Sequence, residues 1–104
     1  MTAKQQRTRE QLELAWIGDS VLTLFARQRI LAQGSGIDNP LAIRMTSNRF
    51  LQSLGDATSL EARIGRLYLE QGLDAAFAWI TAELMPLHEK QERRIAPPLR
   101  PKKG

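Results

Sequence analysis

Apolar residues in the first third of the chain recur every three or four positions, which is the spacing of one face of an α-helix. A helix is therefore predicted from about Thr8 to Gln33, and the connector at residues 34–36 ends it. Its apolar stripe contains Leu12, Ala15, Trp16, Leu22, Ala26 and Ile30. No run alternates with period two, so the sequence predicts no β-strand.

Capping residues predict three further helices. These run from Asn39 to Gly55, from Asp56 or Thr58 to Gln71, and from Asp74 to about His88, with Pro86 bending the last turn. Four helices with short connections predict a compact all-α domain over residues 1–88. Residues 89–104 are predicted to be a basic, proline-containing, flexible tail.

The tail accounts for the whole formal net charge of +4, because from His88 onward there are six basic residues and only two acidic ones. The strongest candidates for contacts with an anionic partner such as RNA are Arg93, Arg94, Arg100, Lys102 and Lys103. A solvated end that only aids solubility explains the same charges equally well.

Composition excludes several classes of protein. The chain has 104 residues and no cysteine, so it is one domain without disulfides or cysteine-bound zinc, as expected in the reducing cytoplasm. Its longest apolar run, residues 75–80, is too short to span a membrane. His88 is the only histidine, which excludes a histidine-based metal cluster and a Ser-His-Asp triad.

One acid stands out because it lies within the apolar stripe of the first helix. Asp19 is surrounded by the apolar residues of the segment LAWIGDSVL, residues 14–22. A buried carboxylate requires a partner, so Asp19 is predicted to be a metal ligand or catalytic acid, or half of a buried ion pair. The candidate cations for such a pair are Arg44, Arg49, Arg63 and Arg66. Gly18 lowers helix propensity and predicts close packing at this point.

This segment resembles the signature helix of ribonuclease III domains, and it is most similar to the Mini-III branch. A second stretch, LEARIGRLYL at residues 60–69, resembles a later helix of the family. The resemblance covers residues 10–88 in pieces. It implies a ribonuclease III-like all-α fold of about four helices and a homodimer, and it implies hydrolysis of phosphodiesters in structured or double-stranded RNA.

The resemblance assigns catalytic, metal-binding roles to Asp19 and Glu61, with Mg²⁺ (or Mn²⁺) as the cofactor. Two carboxylates from different helices suit this hard cation, which prefers oxygen ligands and keeps several waters. The residues alone offer a second interpretation of Glu61, as the partner of Thr58 in a helix-capping box. Asp56 is a further candidate acid at the start of the same helix.

The chain departs from the family at several positions. Leu12, Ala15 and Thr58 stand where ribonuclease III domains carry acids, and the interval between Asp19 and Glu61 is shorter than in either branch. A catalytically inactive RNA-binding or ribosome-associated relative is therefore an alternative, and so is a helical dimerisation module. Two apolar stripes on the last helix favour a homodimer in each case. One contains Leu73, Phe77, Ile80, Leu84 and Leu87, and the other contains Ala75, Trp79 and Ala82.

Overall fold

The structure, a computed structural model, describes the backbone of residues 3–95 and the side chains of residues 9–94. Six helices and their connections make up this range, which contains no strand, so the predicted all-α class is confirmed. The helices are α1 (Ala3–Ala32), α2 (Asn39–Thr46), α3 (Asn48–Gln52), α4 (Ala57–Gln71), α5 (Leu73–Glu83) and α6 (Met85–Ile95).

The long helix α1 supplies one wall of the core. In its second half Leu22, Ala26 and Ile30 are buried, and they belong to one hydrophobic cluster with Ile64 of α4 and Ile80 of α5. The core thus lies between the C-terminal half of α1 and the helices that follow it. The N-terminal half of α1 extends beyond this cluster and packs on α4.

The predicted stripe of α1 is wrong at two positions in this N-terminal half. Leu12 and Trp16 are 55% and 77% exposed, whereas Ala15 and Gly18 are buried. Helix α4 packs along the small residues Ala15 and Gly18. In this half of α1 it therefore covers a narrower face than the core helices cover in the other half. The apolar side chains at the edge of the stripe remain in solvent.

The predicted second helix is two helices, because Ser47 interrupts it. Ser47 has an extended backbone (φ −70°, ψ 150°), ends α2 and caps α3, and its hydroxyl accepts a hydrogen bond from the amide of Phe50 at 3.1 Å. Asp38, not Asn39, caps α2 by accepting from the amide of Leu41. Short polar side chains that compete for backbone donors explain both boundaries.

The predicted fourth helix is also two helices. It ends at Glu83, and a new helix starts at Met85 and continues to Ile95. Pro86 is tolerated because it lies in the first turn of α6, where no intrahelical partner for its missing N–H is needed. The helical body therefore extends seven residues into the segment 89–104 that the sequence assigns to a flexible tail. The rest of that segment lies outside the described residues.

Helix α6 is held against the body by two ion pairs and one buried ring. Arg29 of α1 donates to Glu89 at 3.0 Å, and Arg44 of α2 donates to both carboxylate oxygens of Glu92 at 2.7 and 3.1 Å. His88, where the sequence predicts a helix to end, lies within α6 and is only 5% exposed. These contacts connect the part of α6 from His88 to Glu92 with α1, α2 and α3.

No helix within residues 3–95 is long and apolar enough to cross a membrane.

Candidate functional site: an acid pair where α1 meets α4

Two glycines bring the backbones of α1 and α4 into direct contact. A Cβ atom at Gly18 would lie 2.7 Å from the carbonyl carbon of Glu61 and 2.9 Å from the amide nitrogen of Gly65, and still closer to the carbonyl oxygen of Glu61. A Cβ atom at Gly65 would meet the carbonyl group of Leu14 in the same way. The predicted packing reason for Gly18 is therefore confirmed, and its counterpart on α4 is Gly65.

This close approach places two carboxyl groups against each other. Asp19 follows Gly18 on α1, Glu61 lies one turn before Gly65 on α4, and the two side chains are in hydrogen-bonding contact. Partial burial, the charge of Asp19 and the hydrogen bond to Asp19 together raise the pKa of Glu61 to about 7. Near neutral pH the acid pair, as we call Asp19 and Glu61, therefore binds a proton that two isolated carboxylates would not.

The prediction that Asp19 is buried is wrong, since the residue is exposed at the edge of the α1 face that α4 covers. The alternative of a buried ion pair with an arginine is also wrong. Within the described part of the chain, Arg44 pairs with Glu92, Arg66 pairs with Glu70, and no arginine lies within salt-bridge distance of Asp19. Arg63 lies over the Trp79 ring at 5.6 Å. The group that Asp19 faces is another acid.

The capping interpretation of Glu61 is wrong as well. The N-cap of α4 is Asp56, whose carboxylate accepts from the amide of Ser59 at 3.0 Å and from its hydroxyl at 2.7 Å. Glu61 therefore lies beyond the first turn and has no free backbone amide to bind. Asp56 is occupied as the cap, which removes it as a further candidate acid. Within the described residues Glu61 forms neither a helix cap nor an ion pair, and the side chain that it contacts is the acid Asp19.

The donor set consists of two carboxylates. No group of three or more His, Cys, Asp or Glu side chains suited to a metal occurs within the described residues. Mg²⁺ is often held by one or two carboxylates with water or phosphate oxygens in the remaining positions. Two adjacent acids with one exposed side and no paired cation fit this chemistry. Glu13, a further acid on α1, is 3.7 Å from Arg9.

The candidate RNA-binding residues are placed only in part. Arg93 and Arg94 are exposed in the last turn of α6. Arg100, Lys102 and Lys103 lie outside the described residues. Of the basic candidates, the two that the structure describes lie on α6, whereas the acid pair lies on α1 and α4.

A cleft of about 420 Å³, which the sequence does not predict, lies beside α1. Its lining includes Trp16 and Leu24 of α1, Tyr68 of α4 and Leu73 of α5. Trp16 is 77% exposed, which makes it the most exposed aromatic side chain described. Large exposed apolar side chains lie on α1, but also at Ile37 (82% exposed) and at Leu87 of the predicted fourth helix. Trp79 of that helix is half-buried and packs on the core.

No family model, no curated protein and no solved structure matches this chain. The resemblance to ribonuclease III domains rests on residues 14–22 and 60–69, and it stays a prediction.

Proposed function

We propose that this protein is a ribonuclease III-like, metal-dependent endoribonuclease that acts on structured or double-stranded RNA. The observation that supports this function best is the acid pair. Two carboxyl groups from different helices are held in contact although like charges repel, and neither is used for a cap or an ion pair within the described residues. Groups with a strongly perturbed pKa at an accessible position are typical of functional sites.

Asp19 and Glu61 are the residues that would hold Mg²⁺ (or Mn²⁺). When bound, the cation supplies Lewis-acid stabilisation of the charge that develops on a phosphodiester during hydrolysis. The exposed carboxylate of Asp19 is the one that an incoming RNA phosphate approaches. The Glu61 carboxyl is partly buried behind it and, with a pKa of about 7, exchanges its proton for the cation near neutral pH.

The proposal includes a homodimer and a cytoplasmic location. The exposed Trp16 and the apolar cleft beside it leave a surface suited to a second copy, because large exposed aromatic side chains are enriched at interfaces. Arg93 and Arg94 are proposed to contact phosphates, which position RNA without reading its sequence. The cysteine-free composition suits a reducing compartment.

The direct test is cleavage of a long RNA duplex by the full chain, in Mg²⁺ and then with excess chelator. We expect cleavage that chelator stops, and we expect Asp19→Asn and Glu61→Gln each to abolish it. The matched control is Glu70→Gln, which removes an exposed acid of the same helix α4 and should cleave normally.

Removing one charge from the acid pair should leave RNA affinity unchanged or increase it, because a negative charge near the phosphates is lost. RNA binding without cleavage in the unaltered chain would contradict the enzyme and support the inactive RNA-binding relative. An unaltered chain that neither binds nor cleaves RNA would refute both functions. It would leave the helical dimerisation module as the remaining interpretation.

A further inference from the structure

The proposed nuclease leaves one buried titratable group unexplained, the His88 ring in the middle of α6. The residue is 5% exposed, and its ring packs edge-to-face on Phe50 of α3 with centroids 5.4 Å apart. Its Nδ1 atom is buried without a hydrogen-bond partner. A buried polar atom of this kind destabilises the docked helix modestly while the ring is neutral, and much more when the ring carries a charge.

Charged groups from three helices surround this ring. Glu89 and Glu92 lie on α6 itself, Arg29 faces it from α1, and Arg44 faces it from α2. Burial is the main effect and lowers the pKa of His88. The two carboxylates act against burial, the two guanidinium groups act with it, and each carboxylate is already paired with one of the arginines.

Met85 anchors the start of α6 in the core, so the contacts of His88 concern the part of the helix that follows. Helix α6 follows Leu84 (φ −104°, ψ −37°), whose amide donates to the carbonyl of Ile80 and whose carbonyl accepts from the amide of His88. Beyond His88 its described attachments to the body include the pairs Arg29–Glu89 and Arg44–Glu92, both partly in solvent. Such pairs contribute little individually, so the buried ring has a large share in holding this part of α6.

We propose that α6 is a proton-sensitive latch, which is docked while the His88 ring is neutral and is released when the ring binds a proton. Release would separate Glu89 and Glu92 from their arginines and would free the guanidinium groups of Arg29 and Arg44 for other anions. It would also move Arg93 and Arg94. The latch follows from the packing of α6 and holds whether or not the protein is a nuclease.

The sign and size of the coupling between protonation of His88 and release of α6 can be stated. In the released helix His88 has its ordinary pKa of about 6.5, whereas in the docked helix its pKa is lower, so the released state binds more protons. Opening of α6 should therefore increase as pH falls below about 6.5, by at most about tenfold per pH unit, until the docked pKa is reached. The acid pair titrates in a neighbouring range with the opposite sign, because the pKa of Glu61 is raised, and it acts on α1 and α4.

The experiment is hydrogen exchange of the full chain from pH 5 to pH 8, corrected for intrinsic exchange rates and resolved by peptide. We expect the opening constant of α6 to rise as pH falls, while α4 does not follow. His88→Leu should abolish this slope, because His88 is the only histidine of the chain. The control Asp19→Asn should leave the slope of α6 unchanged.

An NMR titration of the His88 ring in the unaltered chain gives a second test that needs no substitution. A pKa below 6.5 for the ring, measured together with the faster exchange of α6, supports the latch. A ring that titrates at its ordinary pKa would overturn it. So would an α6 whose exchange is independent of pH or changes equally with that of α4.

Discussion

Replacing Gly18 with alanine tests the contact that forms the acid pair. In an ordinary helix this change stabilises by about 1 kcal/mol, because glycine has the lower helix propensity. Here the new Cβ atom would lie 2.7 Å from the carbonyl carbon of Glu61, whereas carbon atoms in contact are normally about 3.5–4.0 Å apart. The carbonyl oxygen of Glu61 would be closer still, so the two helices would have to separate by more than about 1 Å.

The atoms that Gly18→Ala would strike belong to the backbone of α4, so no side-chain rotation relieves the clash. Overpacking commonly destabilises by about 1–3 kcal/mol, and a rigid neighbour favours the upper end. After the gain in propensity, we expect a net loss of about 2 kcal/mol. For a domain of this size that corresponds to a fall in Tm of about 10 °C.

Urea unfolding followed by circular dichroism measures this loss. The control is Ser20→Ala, two positions along α1 on the exposed side, which should change the free energy of unfolding by less than about 0.5 kcal/mol. Separation of the helices should also return the pKa of Glu61 towards its ordinary value, which an NMR titration detects. A Gly18→Ala variant as stable as the unaltered chain would refute the backbone contact and the enforced acid pair together.

Three further perturbations test separate parts of the structure. Asp19→Asn removes the charge that helps to raise the pKa of Glu61. A raised carboxyl pKa stabilises the folded state below about pH 4.5, and this contribution is lost as the pH rises through about 7. At pH 8 the variant should therefore be more stable than the unaltered chain, by on the order of 1 kcal/mol in chemical unfolding. A double-mutant cycle of Arg44→Met and Glu92→Gln should give a coupling free energy of about 0.5–1 kcal/mol at pH 7. The guanidinium of Arg44 lowers the pKa of Glu92, so the coupling should be lost when acid protonates that carboxylate. No coupling at pH 7 would contradict the bidentate pair. Trp16→Ser should leave stability nearly unchanged but convert the proposed homodimer into a monomer in sedimentation, whereas a variant that stays dimeric would move the proposed interface away from α1.

Close packing at Gly18 could be predicted from the sequence because its determinant is local, whereas the identity of α4 as the partner could not. Gly18 stands where alanine would be the better helix former, which already indicates close packing. The exposure of Asp19 and Trp16 could not be predicted in this way. It depends on how wide a face of α1 is covered by α4, and hydropathy periodicity does not contain that information.

The two helix breaks, at Ser47 and before Pro86, were difficult to predict from the sequence for different reasons. Ser47 had a readable signal, since a short polar side chain three residues before Phe50 is a typical N-cap, but the apolar positions on either side favoured a continuous helix. The restart at Pro86 had a weaker signal, because proline both ends one helix and suits the first turn of another. The docking of α6 depends on Arg29 and Arg44, which are distant in sequence, so no local pattern predicts it.

Binding of Mn²⁺ to the unaltered chain, measured by calorimetry at pH 8 in the absence of RNA, tests the acid pair most directly. Because pH 8 lies above the raised pKa of Glu61, about 7, we predict one site per chain that Asp19→Asn and Glu61→Gln each weaken at least tenfold. The control is Glu13→Gln, which removes an exposed acid of α1 that is not part of the pair and should bind as the unaltered chain does. A chain without detectable binding at millimolar Mn²⁺, or with equal binding in all three variants, would contradict the assignment of Asp19 and Glu61 as a metal site.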